Sequence, residues 1–408
     1  MHFIPRQAEQ TLKRLANSFP AVLVVGARQT GKTTLIRNSA VALSANYVTF
    51  DDINEIQSVA ADAKTYLEFH RSPVIFDEIQ HVPNLFPYLK MEIDENRHPG
   101  MFFLTGSQRF SMMKHVTESL AGRIGILQLP GISLRERLAD TCTEPFVPSK
   151  QFLVRRTVPA RIDSIGTLWT MIQKGSYPEI VTGNVLPEDF YGSYLQTYIE
   201  RDVRQLTQVA DELQFSNFVV AVAARTGHLV NYADLARDIG ISEVTAKKWL
   251  SILVTSGLVY LLQPYSANVE KRVVKTPKLY FMDTGLAAFL TKWRTSEVLM
   301  TGAMAGTYFE TFVVTEIIKS YLNAGQIPPV YFYRDKDKIE IDLLIESEGT
   351  LYPVEIKKTV SPAKKDIAAF SILSRIRNVN IGTGAVICPC TKLGILSSDV
   401  YTVPVDYI

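Results

Sequence analysis

Cysteine is scarce in this chain. Three occur among 408 residues, at Cys142, Cys388 and Cys390. An odd, sparse count excludes a disulfide framework and fits a reducing compartment. Cys388-Pro389-Cys390 has the wrong spacing for a zinc knuckle, and the sequence holds no second pair. Long apolar runs are missing too. The stretch Phe218 to Ala224 falls far short of the roughly 20 residues that a membrane-spanning helix needs. Met1-His2-Phe3-Ile4-Pro5-Arg6 lacks the apolar core of a secretory signal. These shortages predict a cytoplasmic protein with no membrane partner. An excess of one charge is also absent. The net charge is +2, so any nucleic-acid surface must be a local patch. The remainder is an ordinary globular balance, 47% hydrophobic and 21% charged, long enough for roughly two or three domains.

Against this background one local pattern stands out. Ala21-Val22-Leu23-Val24-Val25 is an apolar run, and Gly26-Ala27-Arg28-Gln29-Thr30-Gly31-Lys32-Thr33 follows it directly. The second segment fits G-x-x-x-x-G-K-[ST], in the strand–loop–helix setting that this motif requires. Its glycines let backbone N–H groups turn inward around phosphate oxygens. Gly26, Gln29, Thr30, Gly31, Lys32, Thr33 and Thr34 are the expected nucleotide contacts. Lys32 reaches the β- and γ-phosphates, and Thr33 helps hold Mg²⁺. A helix is expected from Lys32 to about Ser44, with its positive end beneath the anion.

Two further apolar runs end in acids: Tyr47–Phe50 before Asp51-Asp52, and Pro73–Phe76 before Asp77-Glu78. Continuous apolar runs predict buried parallel strands, whose C-terminal ends lie beside the phosphate loop. Asp77 is the expected Mg²⁺ partner through a coordinated water. Glu78 is placed to orient and polarise an attacking water. A fourth strand, Met101–Leu104, ends in Thr105-Gly106-Ser107-Gln108. Either Thr105 or Ser107 can sense the γ-phosphate there, and turn capping explains either as well. Arg123, before the strand Ile124–Leu129, is a candidate cation for the transferring phosphoryl, within the chain or toward a neighbouring subunit of a homo-oligomer. A surface ion pair explains it equally, and Arg109 is a weaker candidate.

These residues carry a family resemblance. Gly26–Thr33, Phe76-Asp77-Glu78, Leu104-Thr105-Gly106-Ser107 and Leu120-Ala121-Gly122-Arg123 resemble the AAA-type ATPases of bacteria and archaea that carry an uncharacterised C-terminal domain. The resemblance implies an ASCE-type parallel P-loop sheet, with Asp and Glu adjacent on one strand. It extends to Gly175-Ser176-Tyr177-Pro178-Glu179 and to Glu200-Arg201-Asp202, whose default reading is a salt-bridged helix. No Asn-Lys-x-Asp guanine motif occurs, which favours ATP over GTP.

From about Ile132 the pattern turns helical, with Ser133 as cap and Glu136 three residues on. Residues 145–156 read as an irregular connection. Asn231–Gly240 reads as a short helix ending on glycine, and Ser242 caps a second helix through Lys248 and Leu250. Two strand-like runs follow, Leu258–Leu262 and Val273–Met282. This is the order of a winged helix. Ser242, Glu243, Thr245, Ala246 and Lys248 are expected on its outer face. Lys271, Arg272, Lys275 and Lys278 form a basic wing that can neutralise DNA phosphates. Such modules also serve as interdomain packing, and Glu243 is unhelpful against phosphate.

The last part reads as helix, three strands, helix, strand. Alternation places Ile339, Ile341, Leu343 and Ile345 on one face, with Glu340 and Asp342 on the other. Val354 and Ile356 likewise face the core, opposite Glu355 and Lys357. Asp342 followed thirteen residues on by Glu355-Ile356-Lys357 matches the PD-(D/E)xK nuclease pattern. Asp342 and Glu355, with Glu310 from the preceding helix, would bind Mg²⁺ or Mn²⁺ through oxygen. Lys357 would hold the nucleophilic water. A solvated hairpin is the plain alternative.

The expected architecture is therefore α/β: a P-loop ATPase domain at 1–140, a helical connector at 141–225, a winged helix at 226–285 and a restriction-endonuclease-like domain at 286–408. The leading functional expectation is an ATP-hydrolysing protein acting on DNA, with cleavage gated by nucleotide. The alternatives are a nucleotide-switched scaffold whose later domains only bind partners, and a DNA-binding regulator without cleavage.

Overall fold

The computed structural model describes residues 3–106, 116, 118–156, 162–199, 212–266, 276–376 and 379–408. Ser107, Arg109, Glu200–Asp202 and Lys271, Arg272 and Lys275 lie outside the described residues.

The first sheet is built from β1 (Ala21–Val25), β2 (Asn46–Thr49), β3 (Val74–Asp77), β4 (Phe102–Gly106) and β5 (Ile124–Gln128), in the order β2-β3-β4-β1-β5, all parallel. Every residue of β1, β3 and β4 is buried, as continuous apolar runs predict for a sheet covered on both faces. One face packs on Leu67, Phe86 and Leu89; the other packs on Leu12, Leu35 and Ile36. β4 lies between β1 and β3, so the phosphate loop and the acids of β3 are separated by one strand's width.

The helix after the loop is shorter than expected. It runs Lys32–Asn38 and gives way to a 3-10 turn at Ala40–Ala42. Ser133 and Glu136 form the expected capping box. The stretch read as irregular contains a helix, Lys150–Arg155, capped by the Ser149 side chain.

Among the described residues, the later part of the chain shares one ten-stranded sheet. β6 (His228–Leu229), β7 (Val259–Pro264) and β8 (Lys278–Phe281) are antiparallel, and helices Tyr232–Ile239 and Glu243–Thr255 pack beside them. β7 then pairs parallel with β9 (Val330–Arg334), which joins β10 (Glu340–Ser347) and β11 (Thr350–Ile356). A short β12 (Asn380–Ile381) pairs with β11. β13 (Gly384–Cys388), β14 (Gly394–Ser397) and β15 (Val400–Pro404) complete the sheet. The helix Ala305–Asn323 is buried along most of its length beneath it. The expected helix after β11 is a 3-10 segment, Lys364–Arg375.

Three expectations fail here, each for a physical reason. The alternation expected along β10 breaks at a bulge between Ile341 and Leu344. Ile341 and Leu344 pack on one face of the sheet, while Leu343 and Ile345 join the core on the other. Ile339 is partly exposed at 38%. Ala246 is fully buried rather than outward, because its helix turns that position onto its partner helix. Lys278 is not on an exposed wing. It opens a strand inside the sheet and is buried.

Candidate functional site

The loop geometry begins with glycines where side chains cannot go. A Cβ on Gly26 would overlap the Leu129 carbonyl. Gly31 has φ 89°, and Gln29 holds the left-handed region at φ 59°. The Lys32 ammonium curls over the loop, donating to the carbonyls of Gly26 at 3.3 Å and Ala27 at 3.0 Å. Thr30 donates to Ala27 O at 2.9 Å.

Lys32 is buried, and burial pushes its ammonium down to about 8. Glu78 and Asp77 oppose that shift, and Arg28 adds to it. A polyphosphate beside the lysine favours the charged form. Near pH 8 we therefore expect nucleotide binding to take up about half a proton, falling toward none near pH 6.5, where the free lysine is already charged. Calorimetric titration in two buffers of different ionisation enthalpy measures this. Equal heats in both buffers at pH 8 would contradict it.

β3 delivers the acids beside this lysine. Asp77 Oδ1 accepts from Thr33 Oγ1 at 2.8 Å and also from Thr105 Oγ1. Asp77 Oδ2 accepts from the Tyr47 hydroxyl at 2.8 Å. Burial and that bond to Asp77 push the Tyr47 phenol up to about 12. Glu78 sits at φ 53°, a strained conformation for this residue type, and its N–H donates to Thr105 Oγ1 at 3.2 Å. Gln80 Nε2 donates to the Glu78 carboxylate. Thr105 thus braces both acids.

The residues expected to hold Mg²⁺ with nucleotide fit that role. Thr33 and Asp77 meet beside the loop, and the Gly26 cradle leaves no room for a side chain. Arg6 and Tyr47 carried no signal in the sequence. Buried Arg6 donates to Thr30 O at 2.8 Å, to Pro130 O at 2.8 Å and to Glu136 Oε1 at 2.9 Å. It props the loop from below.

Arg123 is elsewhere. Ala21 pairs with Ile124 in parallel register, so Arg123 stands at the N-terminal end of the strands. The phosphate loop leaves the C-terminal end, about 16 Å away at the usual rise per residue. Arg123 instead forms a two-pronged ion pair with Asp94, at 2.6 and 3.0 Å. A role within its own nucleotide site is therefore corrected.

The segment after β5, whose Leu129 carbonyl lies against Gly26, rests on the rest of the chain. Gly131 and Ile132 pack on Ser176, with Ile132 N donating to Ser176 O at 2.7 Å. Buried Asp283 grips that segment. It accepts from Ser176 N at 2.5 Å, Ser176 Oγ at 2.7 Å, Tyr191 OH at 2.7 Å and Leu286 N at 2.7 Å. Asp283 follows β8 by two residues, so the strand ending behind the nucleotide site begins at Lys278.

Lys278 enters the second candidate site. Its Nζ lies 3.3 Å from Glu310 Oε1 and 2.5 Å from Glu340 Oε1. The Tyr280 hydroxyl donates to Glu310 Oε1 at 2.6 Å. Lys357 Nζ lies 2.6 Å from Glu355 Oε1 and 3.7 Å from Asp342 Oδ2, and Asp342 also accepts from Ile356 N at 2.9 Å. Burial, then the Asp342 charge, pushes the Glu355 carboxyl up to about 8, against Lys357. Burial lowers the Lys278 ammonium, but Glu310 and Glu340 outweigh it and raise it above its ordinary value. The geometry brings Glu310, Asp342, Glu355 and Lys357 into one pocket. It does not arrange them as a metal shell: among the described residues no group of three or more acids, histidines or cysteines is set to hold a metal ion. The expected ligand set of Glu310, Asp342 and Glu355 does not fit a cation as arranged, because Lys278 already engages Glu310.

Cys388 and Cys390 are free thiols at and just beyond the end of β13. Among the described residues no helix is long and apolar enough to cross a membrane.

Known proteins resemble this chain in three segments. Residues 18–138 match the model of the AAA domain. Residues 165–297 and 305–407 match two domains of unknown function, DUF8612 and DUF4143. Uncharacterised proteins of Mycobacterium tuberculosis and Mycobacterium bovis are each 29% identical over 406 residues, covering 99% of this chain and 84% of theirs. Among solved structures, the Walker-type ATPase of Pyrococcus abyssi aligns with TM-score 0.42 at 14% identity, covering 71% of this chain and 96% of that one. The Thermotoga maritima RuvB Holliday junction branch migration motor aligns with TM-score 0.30 at 18% identity, covering 62% and 88%. The domain match agrees with the loop, the parallel sheet and the paired acids of β3: this chain carries an AAA-type P-loop ATPase domain.

Proposed function

We propose that this chain is a Mg²⁺-dependent ATPase whose nucleotide state changes how its first domain is held by the rest of the molecule. One observation carries this reading. The phosphate loop presents Thr33 to Asp77 and lies against the Leu129 carbonyl, and the residues that follow, Gly131 and Ile132, rest on Ser176, which Asp283 grips. Phosphates lie in the loop, where Lys32 exchanges its carbonyl partners for phosphate oxygens. Mg²⁺, held by Thr33 and through water by Asp77, neutralises charge on the β- and γ-phosphates. Glu78 orients the attacking water and takes its proton. A cavity of about 330 Å³, lined by Arg6, Gly31, Thr34, Leu35, Pro178 and Glu179, adjoins the loop and suits the base. Pro178 and Glu179 belong to the segment that Asp283 fastens, so nucleotide contacts both sides of the interface.

Lys32→Ala tests this. We expect ATP turnover to fall about 10²–10³-fold, the usual loss of one preorganised charge donor. The thermal midpoint of the nucleotide-free chain should hold or rise, because a buried ammonium is removed. Unchanged turnover would end the reading.

A second reading gives the ATPase a DNA substrate, with the helix pair 232–255 and β7–β8 as a winged helix and residues 286–408 as a nuclease-like domain. The convergence of Asp342, Glu355 and Lys357 in one pocket favours it. Lys247 and Lys248 are exposed on the second helix of the pair.

A further inference from the structure

The C-terminal pocket is crowded with charge that nearly cancels. Glu310, Glu340, Asp342 and Glu355 supply four carboxylates, while Lys278, Lys357 and Arg334 supply three cations. Arg334 Nη1 holds Glu340 Oε2 at 2.9 Å, so both oxygens of Glu340 are engaged. Arg334 lies on β9 and Lys357 directly follows β11, both within the C-terminal part of the sheet. Lys278 is not. It is carried in by β8, from the unit between the ATPase domain and the pocket.

Lys278 is also the most enclosed of the three, with its side chain 5% exposed against 31% for Lys357 and 35% for Arg334. Its ammonium lies 5.6 Å from the centroid of the Phe332 ring. Its two carboxylate partners come from a helix and from β10. A divalent cation needs several oxygens gathered at 2.0–2.6 Å. It cannot gather Glu310 while an ammonium lies against that carboxylate. Yet the pocket keeps one oxygen in reserve. Glu355 is 7% exposed, and its buried Oε2 meets no hydrogen-bond donor among the described residues.

We propose that Lys278 is the resident cation of the C-terminal pocket, and that it excludes a divalent metal ion from Glu310, Asp342 and Glu355 until β8 withdraws it. Withdrawal has a built route. Lys278 and Asp283 stand at the two ends of one short segment, and Asp283 grips Ser176 behind the phosphate loop. A shift of that segment that follows the nucleotide moves the ammonium with it. The proposal takes up the pocket of the DNA reading. Its test measures ion binding, so failure of DNA cleavage and failure of exclusion are separate results.

The experiment uses the full chain without nucleotide and titrates Mn²⁺, following free ion by electron paramagnetic resonance. Lys278→Met removes the charge and keeps similar bulk. It should bind one Mn²⁺ at least about ten-fold more tightly than the unaltered chain, since removing a like charge a few ångströms away is worth at least that factor. Lys278→Arg should behave like the unaltered chain. Adding Glu310→Gln and Asp342→Asn to Lys278→Met should abolish the gain, which locates the ion. Equal Mn²⁺ affinity in a folded Lys278→Met chain overturns the proposal. A second measurement keeps it open to refutation should that variant not fold. Tb³⁺ added to the unaltered chain should show no saturable luminescence sensitised by Tyr280, which bonds Glu310. Strong luminescence that Glu310→Gln removes would mean the ion enters with Lys278 in place, and the proposal fails.

Discussion

Glu78→Gln is expected to slow ATP hydrolysis about 10²–10⁴-fold while leaving nucleotide affinity within a few-fold. The carboxylate follows β3, one residue beyond Asp77, the proposed Mg²⁺ partner. Its backbone is held in the left-handed region at φ 53° by the bond from its N–H to Thr105 Oγ1. An amide fills the same space but cannot take a proton from water. Asp77, Thr33 and Lys32 remain, so the phosphates are still held. Phosphate release measured beside binding of a fluorescent nucleotide separates the two effects. Turnover within ten-fold of the unaltered chain would remove Glu78 from the mechanism. Equal loss of binding would make it a structural residue.

Asp283→Ala is expected to be strongly destabilising, by about 3–5 kcal/mol. The carboxylate accepts four hydrogen bonds from Ser176, Tyr191 and the first turn of the helix Thr284–Leu290. Alanine removes the acceptor from the buried Ser176 N–H, the Ser176 hydroxyl and the Leu286 N–H, while Tyr191 keeps the Lys174 carbonyl. Asp283→Asn keeps one carbonyl oxygen and should lose roughly half as much. Chemical denaturation of both variants, read by intrinsic fluorescence, gives the comparison. Because the same carboxylate fastens the segment behind the phosphate loop, Asp283→Asn should also raise KM for ATP. A normal KM in a chain that is less stable would confine Asp283 to packing.

The parts that were legible in the sequence are those whose chemistry is contiguous. Gly26–Thr33 needs only a strand, a turn and a helix in succession, and each is written locally. Asp77-Glu78 closes an apolar run, and Ser133 with Glu136 makes a capping box four residues long. Asn231, Gly240 and Ser242 mark helix ends in the same local way. What the sequence did not show involves partners far apart. Tyr47 reaches Asp77 across 30 positions, and Arg6 reaches Glu136 across 130. Alternation failed in β10 because that strand is buried on both faces and bulged, so period 2 no longer distinguishes inside from outside. Lys278 read as part of a basic run. Nothing local distinguishes a solvated lysine from one enclosed by carboxylates 32 and 62 residues on, Glu310 and Glu340.

By itself the sequence determined the nucleotide chemistry: a loop able to cradle phosphates, a lysine and threonine to meet them, and two acids at the end of another strand. It also nominated Asp342, Glu355 and Lys357. Tertiary structure alone decided what surrounds them. Parallel register carries Arg123 to the far end of the sheet from the loop that it was expected to serve. The pairing of β7 with β9 joins the middle of the chain to the C-terminal sheet, and β8 beside β7 brings Lys278 against Glu310. Motif chemistry depends on residue types at short spacing, which a chain states directly. Charge balance in a buried pocket depends on every group that folding brings within a few ångströms, and that sum exists only once the strands are paired.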